Sequence, residues 1–104
     1  MSFRLPLAML KKNSVQLMEL NNNYGNQYYI PYSLGVLTAY AKQFTDIVNS
    51  FEFSPFLYKR ERVEHILDKI GDTDIFGASV YVWNWSLSVM VGREVRARNP
   101  DSLI

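Results

Sequence analysis

The spacing of apolar residues along the chain predicts alternating strands and helices. Residues 15–20 alternate apolar and polar positions, apart from Met18, and predict a first strand. The Asn-rich residues 21–27, which include Gly25, terminate it. Pro31 and Ser33 are typical of a helix start, since proline suits the first turn and serine caps it. The apolar positions that continue this helix, three and four residues apart, are Leu34, Leu37, Ala41 and Phe44.

A second strand and a second helix follow. Residues 47–53 are β-branched and aromatic, which favours a strand, and Ser54 and Pro55 break it. Residues 61–70 form the clearest helical pattern of the chain, and we expect Gly71 to provide its C-cap. The apolar stripe of this helix is Val63, Ile66, Leu67 and Ile70.

The C-terminal third of the chain predicts one more strand and helix. Residues 75–82 are nearly all apolar, as in a parallel strand covered on both faces. Asn84 or Ser86 is expected to cap a third helix, and residues 102–104 to begin a fourth strand. The inner face predicted for the third helix is Leu87, Met90, Val91 and Val95, and its C-terminal cations are Arg93, Arg96 and Arg98.

The order β-α-β-α-β-α-(β) predicts an α/β fold with an open parallel sheet. Short right-handed crossovers between consecutive strands give this layered architecture, and the expected strand order is 2-1-3(-4). We expect residues 1–13 to be a loose N-terminal arm and residues 14–104 to be one partial α/β domain.

Composition excludes several classes of function. The chain has 104 residues, a formal net charge of +1, no cysteine and one histidine. Disulfides, thiol nucleophiles, cysteine-ligated clusters and a two-histidine metal site are therefore excluded within this chain. The small net charge gives no long-range attraction to nucleic acid or to anionic membranes. Without a secretory signal or an apolar run of ~18 residues, we expect a cytoplasmic location.

Unusual side chains occur in the two loops that would border a ligand crevice. In an open parallel sheet, ligands bind beyond the carboxyl ends of the strands, where the strand order reverses. Here those loops are residues 21–30 and 82–86, which are rich in Asn, Tyr and Trp and lack a strong general base. They favour binding of a large planar or amphipathic group over proton-transfer catalysis. The candidate binding residues are Asn22, Asn23, Tyr24, Gly25, Tyr81, Asn84 and Trp85.

Structural alternatives exist for the same residues. Trp83 and Trp85 would equally serve to pack the third helix on the sheet, and residues 21–23 would equally serve as a turn. His65 lies among charged positions of its helix, which favours a solvated, functionally silent side chain.

Four features resemble one known family. The first is the first strand followed by an Asn/Tyr/Gly loop. The others are Ile30-Pro31-Tyr32-Ser33-Leu34-Gly35-Val36-Leu37 with Ala39-Tyr40, the segment Asp74-Ile75-Phe76-Gly77-Ala78-Ser79-Val80-Tyr81-Val82-Trp83-Asn84, and Asn99-Pro100-Asp101. From residue 15 to residue 104 the chain resembles the N-terminal cobalamin-binding-type domain that precedes the catalytic barrel of radical S-adenosylmethionine enzymes. The resemblance implies a Rossmann-like, flavodoxin-like domain that stops before the family's Gly-Gly-Pro turn and lacks the barrel.

The resemblance also implies a function. It implies a non-catalytic cofactor-binding-type module of a radical enzyme, a methyltransferase or a relative, with cobalamin as the candidate cofactor. S-adenosylmethionine and the iron–sulfur cluster would belong to the catalytic domain of a longer parent protein, the expected partner. The family's Asp-x-His-x-x-Gly motif is missing, so no histidine of this chain is expected to ligate cobalt. The alternative is a degenerate α/β interaction or oligomerisation domain without a cofactor.

Two further hypotheses concern association and catalysis. The apolar edge over residues 75–82 predicts self-association, with Leu103 and Ile104 contributing to a shared sheet. An independent hydrolase or transferase is disfavoured because the Gly-x-Ser-x-Gly motif is absent.

Overall fold

The computed structural model describes residues 11–25, 27–28 and 30–104, and it shows an α/β sheet built around its first strand. The N-terminal arm predicted over residues 1–13 lies outside the described residues as far as residue 10, and Asn13 already belongs to the first strand. In chain order the elements are β1 (Asn13–Asn21), β2 (Asn23–Tyr24), β3 (Gln27–Tyr28), α1 (Tyr32–Ala41), α2 (Thr45–Ser50), β4 (Phe51–Phe53), β5 (Leu57–Lys59), α3 (Val63–Lys69), β6 (Ile75–Ala78), a 3-10 turn (Val82–Asn84) and α4 (Trp85–Arg98).

Parallel pairing on both sides of β1 determines the strand order. Val15 pairs with a residue of β4 and with a residue of β6, so these two strands flank β1 on opposite sides. Met18 pairs with β5 and with β6, which places β5 on the same side of β1 as β4. Leu103 forms a parallel bridge with Ile75, at the outer edge of β6. The predicted α/β class and the order 2-1-3 with a beginning fourth strand are confirmed.

The main hydrophobic core lies on one face of the sheet, under α3 and α4. Met18 and Leu20 are two residues apart on β1 and therefore point to the same face. The buried side chains of this core are Met18, Leu20, Ile66, Leu67, Ile70, Phe76, Val91 and Val95. Three of them belong to the stripe predicted for α3, and its fourth member, Val63, packs against the core while half-buried.

The opposite face of the sheet carries α1. Ser33 at the start of α1 donates a hydrogen bond of 3.0 Å from its hydroxyl to Glu19 Oε1 on β1. Leu34 and Thr38, four residues apart, are the buried positions of this helix. The predicted stripe is wrong at Leu37 and Phe44, which are exposed. Phe44 lies beyond the end of α1, and packing on positions 34 and 38 turns Leu37 away from the sheet.

The second strand starts later than predicted and is interrupted. The strand predicted over residues 47–53 is wrong as far as Ser50, because α2 extends to that residue. Asp46 in the first turn suits the helix N-terminus, and β-propensity acts only where a partner strand is present. Beyond the predicted break, β5 resumes pairing with β1, which the sequence pattern missed. Gln16 bridges the interruption, since its Nε2 donates to the Pro55 carbonyl at 2.9 Å.

The third strand is shorter than predicted. β6 ends at Ala78, four residues before the expected position, although the Ser79 amide still donates to the Met18 carbonyl at 2.8 Å. The chain then leaves the sheet and enters the 3-10 turn before α4. A hydrophobic run is therefore not a sufficient signal for a strand here, since the second half of residues 75–82 lies beyond β6.

The inner face of α4 differs from the prediction at two positions. Val91 and Val95 are buried and Leu87 packs against the core, as expected. Met90 is exposed, and Ser88 is buried instead. Both differences follow from a small rotation of the helix about its axis relative to the predicted stripe.

The helix caps also differ from the prediction. Gly71 is not the C-cap, because α3 ends at Lys69 and Ile70 caps it in extended backbone (φ −96°, ψ 111°). Neither Asn84 nor Ser86 caps α4 with its side chain. Arg96 donates from Nη1 to the Pro100 and Ser102 carbonyls, so one predicted C-terminal cation binds the chain beyond α4. In the described ranges, no helix is long and apolar enough to cross a membrane.

Truncation of a core valine tests which face holds the domain together. We expect Val91→Ala to lower the free energy of unfolding by about 1.5–3 kcal/mol, since it removes buried methyl groups from the core under α4. Val82→Ala removes the same atoms from a side chain that is 96% exposed, and we expect less than about 0.5 kcal/mol. Urea denaturation followed by circular dichroism measures both values. Equal losses for the two variants would contradict the described core.

An ion pair beside α3 makes a pH-dependent contribution to the free energy of unfolding. Lys69 donates a hydrogen bond to Glu61, and this contact holds the pKa of the Glu61 carboxyl below its ordinary value. Because the pKa of this carboxyl is lower in the folded than in the unfolded chain, its ionised form stabilises the fold at pH values above the unfolded-state pKa. This stabilisation is lost as the pH falls through the folded-state pKa. We expect Glu61→Gln to cost at most about 0.5 kcal/mol at pH 7 and nothing below the folded pKa, by urea denaturation at several pH values. A difference that persists at the lowest pH would contradict the ion pair as its cause.

Candidate functional site

Three loops meet at the carboxyl ends of the strands. β1, β5 and β6 are parallel, so the chain leaves all of them at the same edge of the sheet. Arg60, directly after β5, donates from Nη1 to the Trp83 carbonyl at 2.7 Å. Since β5 and β6 lie on opposite sides of β1, this contact crosses the end of the central strand. Lys59 Nζ lies 5.4 Å from the centre of the Tyr28 ring, which brings the loop after β1 to the same edge.

Large apolar side chains are exposed in the loop after β6. Val80, Tyr81, Val82, Trp83 and Trp85 line an open cavity of about 580 Å³, and we call these five residues the aromatic patch. The Tyr81 and Trp83 rings are stacked, with 4.5 Å between centroids and 3° between planes. Trp83 and Trp85 are 53% and 62% exposed. The surface therefore offers flat apolar rings to a ligand, and packing of α4 on the sheet does not bury them.

Asn84 holds this loop against the sheet. Its side chain is completely buried, and its Nδ2 donates to the Leu20 carbonyl at 3.1 Å and to the Ser79 carbonyl at 3.3 Å. Its Oδ1 accepts a hydrogen bond of 2.7 Å from the Tyr81 amide. One amide group thus joins the end of β1, the end of β6 and the beginning of the aromatic patch. The geometry gives Asn84 a positioning role between two tryptophans.

The predicted residues of the first loop lie at the same edge. Asn22 is exposed, and Asn23 and Tyr24 form the β2 strand, which pairs with β3 as a small hairpin. Gly25 turns this hairpin with a φ of 65°, a left-handed conformation that glycine adopts without strain. The structure thus brings both predicted loops to one edge of the sheet, and the cofactor contacts of the seven candidates stay predictions.

A carboxylate lies under this loop, and the sequence pattern alone did not indicate it. Glu19 on β1 is buried and accepts hydrogen bonds of 3.0 Å from Asn21 Nδ2 and from the Ser33 hydroxyl. The three residues link the end of β1 to the start of α1. With both carboxylate oxygens bonded to neutral donors, Glu19 is suited to holding the loop in place.

Two cations at this edge were also missed. Lys59 and Arg60 follow an aromatic segment that the sequence did not predict as a strand, so the carboxyl end of β5 was not recognised. Had residues 57–59 been predicted as a continuation of the second strand, both cations would have been candidates. They add positive charge to an otherwise aromatic and amide-rich site.

Metal ligands are not assembled at this site. No group of three or more His, Asp or Glu side chains that would hold a metal occurs among the described residues. His65 lies in α3, largely exposed and 4.0 Å from Glu61, and it does not line the aromatic patch. Asp74 is used structurally, since its Oδ2 accepts the Ser14 amide at 2.8 Å where β1 begins. The site is therefore equipped for binding flat or amphipathic groups through rings, amides and two cations.

The buried amide of Asn84 gives a test of how the loop is held. We expect Asn84→Ala to lower the free energy of unfolding by about 2–3 kcal/mol, because three backbone groups lose their partner. The near-ultraviolet circular dichroism of the two adjacent tryptophans should weaken at the same time. Asn22→Ala, at an exposed asparagine, is the matched control and should change neither. Unchanged stability and spectra in Asn84→Ala would contradict the positioning role.

Comparison with known proteins finds similarity to methyltransferases. No protein-family profile matches the chain. Over 80 residues the chain is 30% identical to the cobalamin-dependent radical SAM methyltransferase TokK of Streptomyces tokunonensis. The aligned region covers 76% of this chain and 12% of that protein. Over 76 residues it is 29% identical to 2-(S-pantetheinyl)-carbapenam-3-carboxylate methyltransferase of Streptantibioticus cattleyicolor, covering 73% of this chain and 11% of that protein.

The chain thus spans only 11–12% of the length of the curated relatives that it matches. The similar region covers about three quarters of this chain. The chain is therefore a distant relative of a small part of cobalamin-dependent radical SAM methyltransferases.

Proposed function

We propose that this chain is a non-catalytic cobalamin-binding-type module whose carboxyl edge receives the cofactor. The observation that carries the proposal is the aromatic patch, held at the switch point between β1 and β6 by Asn84. The similarity to a cobalamin-dependent radical SAM methyltransferase supports the same cofactor for this edge.

The residues present fit a corrinoid in chemistry. Cobalamin is large, and it has an apolar ring face and a periphery of amides and one phosphodiester. The exposed rings of Trp83 and Trp85 suit contact with apolar parts of such a ligand, and the exposed Asn22 supplies an amide. Lys59 and Arg60 lie at the same edge, and their positive charges would favour binding of the negatively charged phosphodiester of cobalamin.

In this proposal the chain binds and orients the cofactor. Cobalamin, when bound, would supply the cobalt centre for group-transfer chemistry. The aromatic patch would support one side of the cofactor and exclude water from it, while Asn84 keeps the patch in position. His65 is not a member of the patch, so the proposed binding mode uses no histidine of this chain on the metal.

Catalysis would be the task of a longer protein. The chain has no cysteine, so it cannot supply thiolates to an iron–sulfur cluster. The relatives have nearly nine-tenths of their length outside the matched region. We propose that S-adenosylmethionine and the cluster would be bound by a separate catalytic domain that works with this module.

Titration with hydroxocobalamin tests the proposal. Both tryptophans of the chain lie in the aromatic patch, so equilibrium dialysis is complemented by tryptophan fluorescence, which reports the site directly. We expect saturable binding with a dissociation constant below roughly 100 µM. Trp85→Ala and Tyr81→Ala should weaken the affinity by about tenfold, because each removes ring contact worth about 1–2 kcal/mol.

Two matched controls separate the patch from the rest of the surface. Tyr40→Ala removes an exposed tyrosine of α1, outside the patch, and should leave the affinity unchanged. His65→Ala should do the same. Absence of retention at roughly 100 µM protein, with the fold intact by circular dichroism, would overturn the cofactor proposal and favour an interaction domain without a cofactor.

A further inference from the structure

The helix α1 is apolar on its outer side as well as on its inner side. Its ten residues, Tyr32–Ala41, include no charged side chain. Leu34 and Thr38 face the sheet, whereas Leu37 and Tyr40 are 56% and 60% exposed. A helix that is apolar all round is normally covered on all sides, because charged residues otherwise occupy the solvent face. α3, by contrast, is amphipathic, with four charged or titratable residues among its seven.

The exposed apolar surface extends beyond α1 at both ends. It includes Ile30, Tyr32, Val36, Leu37, Tyr40, Phe44 and Val48, and we call these seven residues the α1 face. Tyr40 and Phe44 make an edge-to-face ring contact with centroids 5.3 Å apart, so the surface continues from α1 towards α2. Side chains of this size and exposure present an area on the order of 800 Å², as much as each partner buries in a standard protein interface. The largest apolar patch of a monomer is typically about 300–600 Å².

We propose that a second copy of this chain covers the α1 face, by two-fold pairing of α1 with its equivalent. Such an interface places the same patch on both sides, so any charge near the axis would face a like charge. The α1 face has none, and the net charge of +1 adds little repulsion between copies.

The α1 face is separate from the aromatic patch and from the outer edge of β6. It lies on the face of the sheet opposite the α3–α4 core, whereas the aromatic patch lies at the carboxyl edge. It is also separate from the outer edge of β6, where self-association was predicted from the sequence and where Leu103 already pairs. Pairing through α1 would therefore leave the carboxyl edge open for a ligand.

Sedimentation velocity between about 1 and 500 µM tests this pairing. We expect a monomer–dimer equilibrium within that range. Leu37→Glu and Tyr40→Glu should each raise the dimer dissociation constant by about tenfold or more, because they place like charges across the axis. Both positions are exposed, so we expect unchanged circular dichroism and urea stability. Val82→Glu, in the aromatic patch, and Leu103→Glu, at the sheet edge, are the controls and should leave the constant unchanged.

Cross-linking gives a second readout, since the chain has no cysteine of its own. Tyr40→Cys should form an intermolecular disulfide under mild oxidation, and Val82→Cys should form much less. A monomer at every concentration would overturn the proposal. So would a dimer that resists Leu37→Glu and Tyr40→Glu but dissociates in the Val82→Glu or Leu103→Glu variant, because another surface would then be responsible.

Discussion

Parallel pairing of β1 on both sides is the constraint on which the rest of the structure depends. β4 and β5 lie along one side and β6 along the other, so β1 sets the register of every strand of the main sheet. The pairing is fastened at the amino end, where Asp74 accepts the Ser14 amide, and at the carboxyl end, where Asn84 donates to the Leu20 carbonyl. Because parallel strands all end at one edge, the same pairing also creates the crevice at which three loops meet.

Asn84 shows how one buried polar group can organise an exposed functional surface. Its amide satisfies backbone groups of Leu20 in β1, of Ser79 just after β6 and of Tyr81 at the start of the 3-10 turn. Each group would cost about 1–3 kcal/mol if left buried without a partner. Because Asn84 holds the loop in place, the neighbouring Trp83 and Trp85 side chains do not need to be buried, and both are exposed. The combination of a rigid base and exposed rings is what makes this edge suitable for binding a large flat group.

The two faces of the sheet are unequal. α3 and α4 cover one face and bury a continuous core, whereas α1 covers the other face with few buried side chains and leaves its own outer side apolar. An exposed apolar helix face of this kind is typical of a domain that works in contact with another protein surface. It is consistent with relatives in which the matched region is a small part of a large enzyme.

The sequence by itself determined the order of the main elements, the α/β class and the meeting of two Asn- and aromatic-rich loops, because these follow from local periodicity and from the geometry of parallel sheets. Only the tertiary structure decided where residues 47–50 go, which side of α1 faces the sheet and that Arg60 reaches across β1 to Trp83. The loops that carry the candidate residues meet at one edge, whereas the burial of Asn84 and the contact of Lys59 with Tyr28 depend on partners distant in sequence. Periodicity reports which residues avoid water, whereas the identity of the partner that covers them depends on long-range packing.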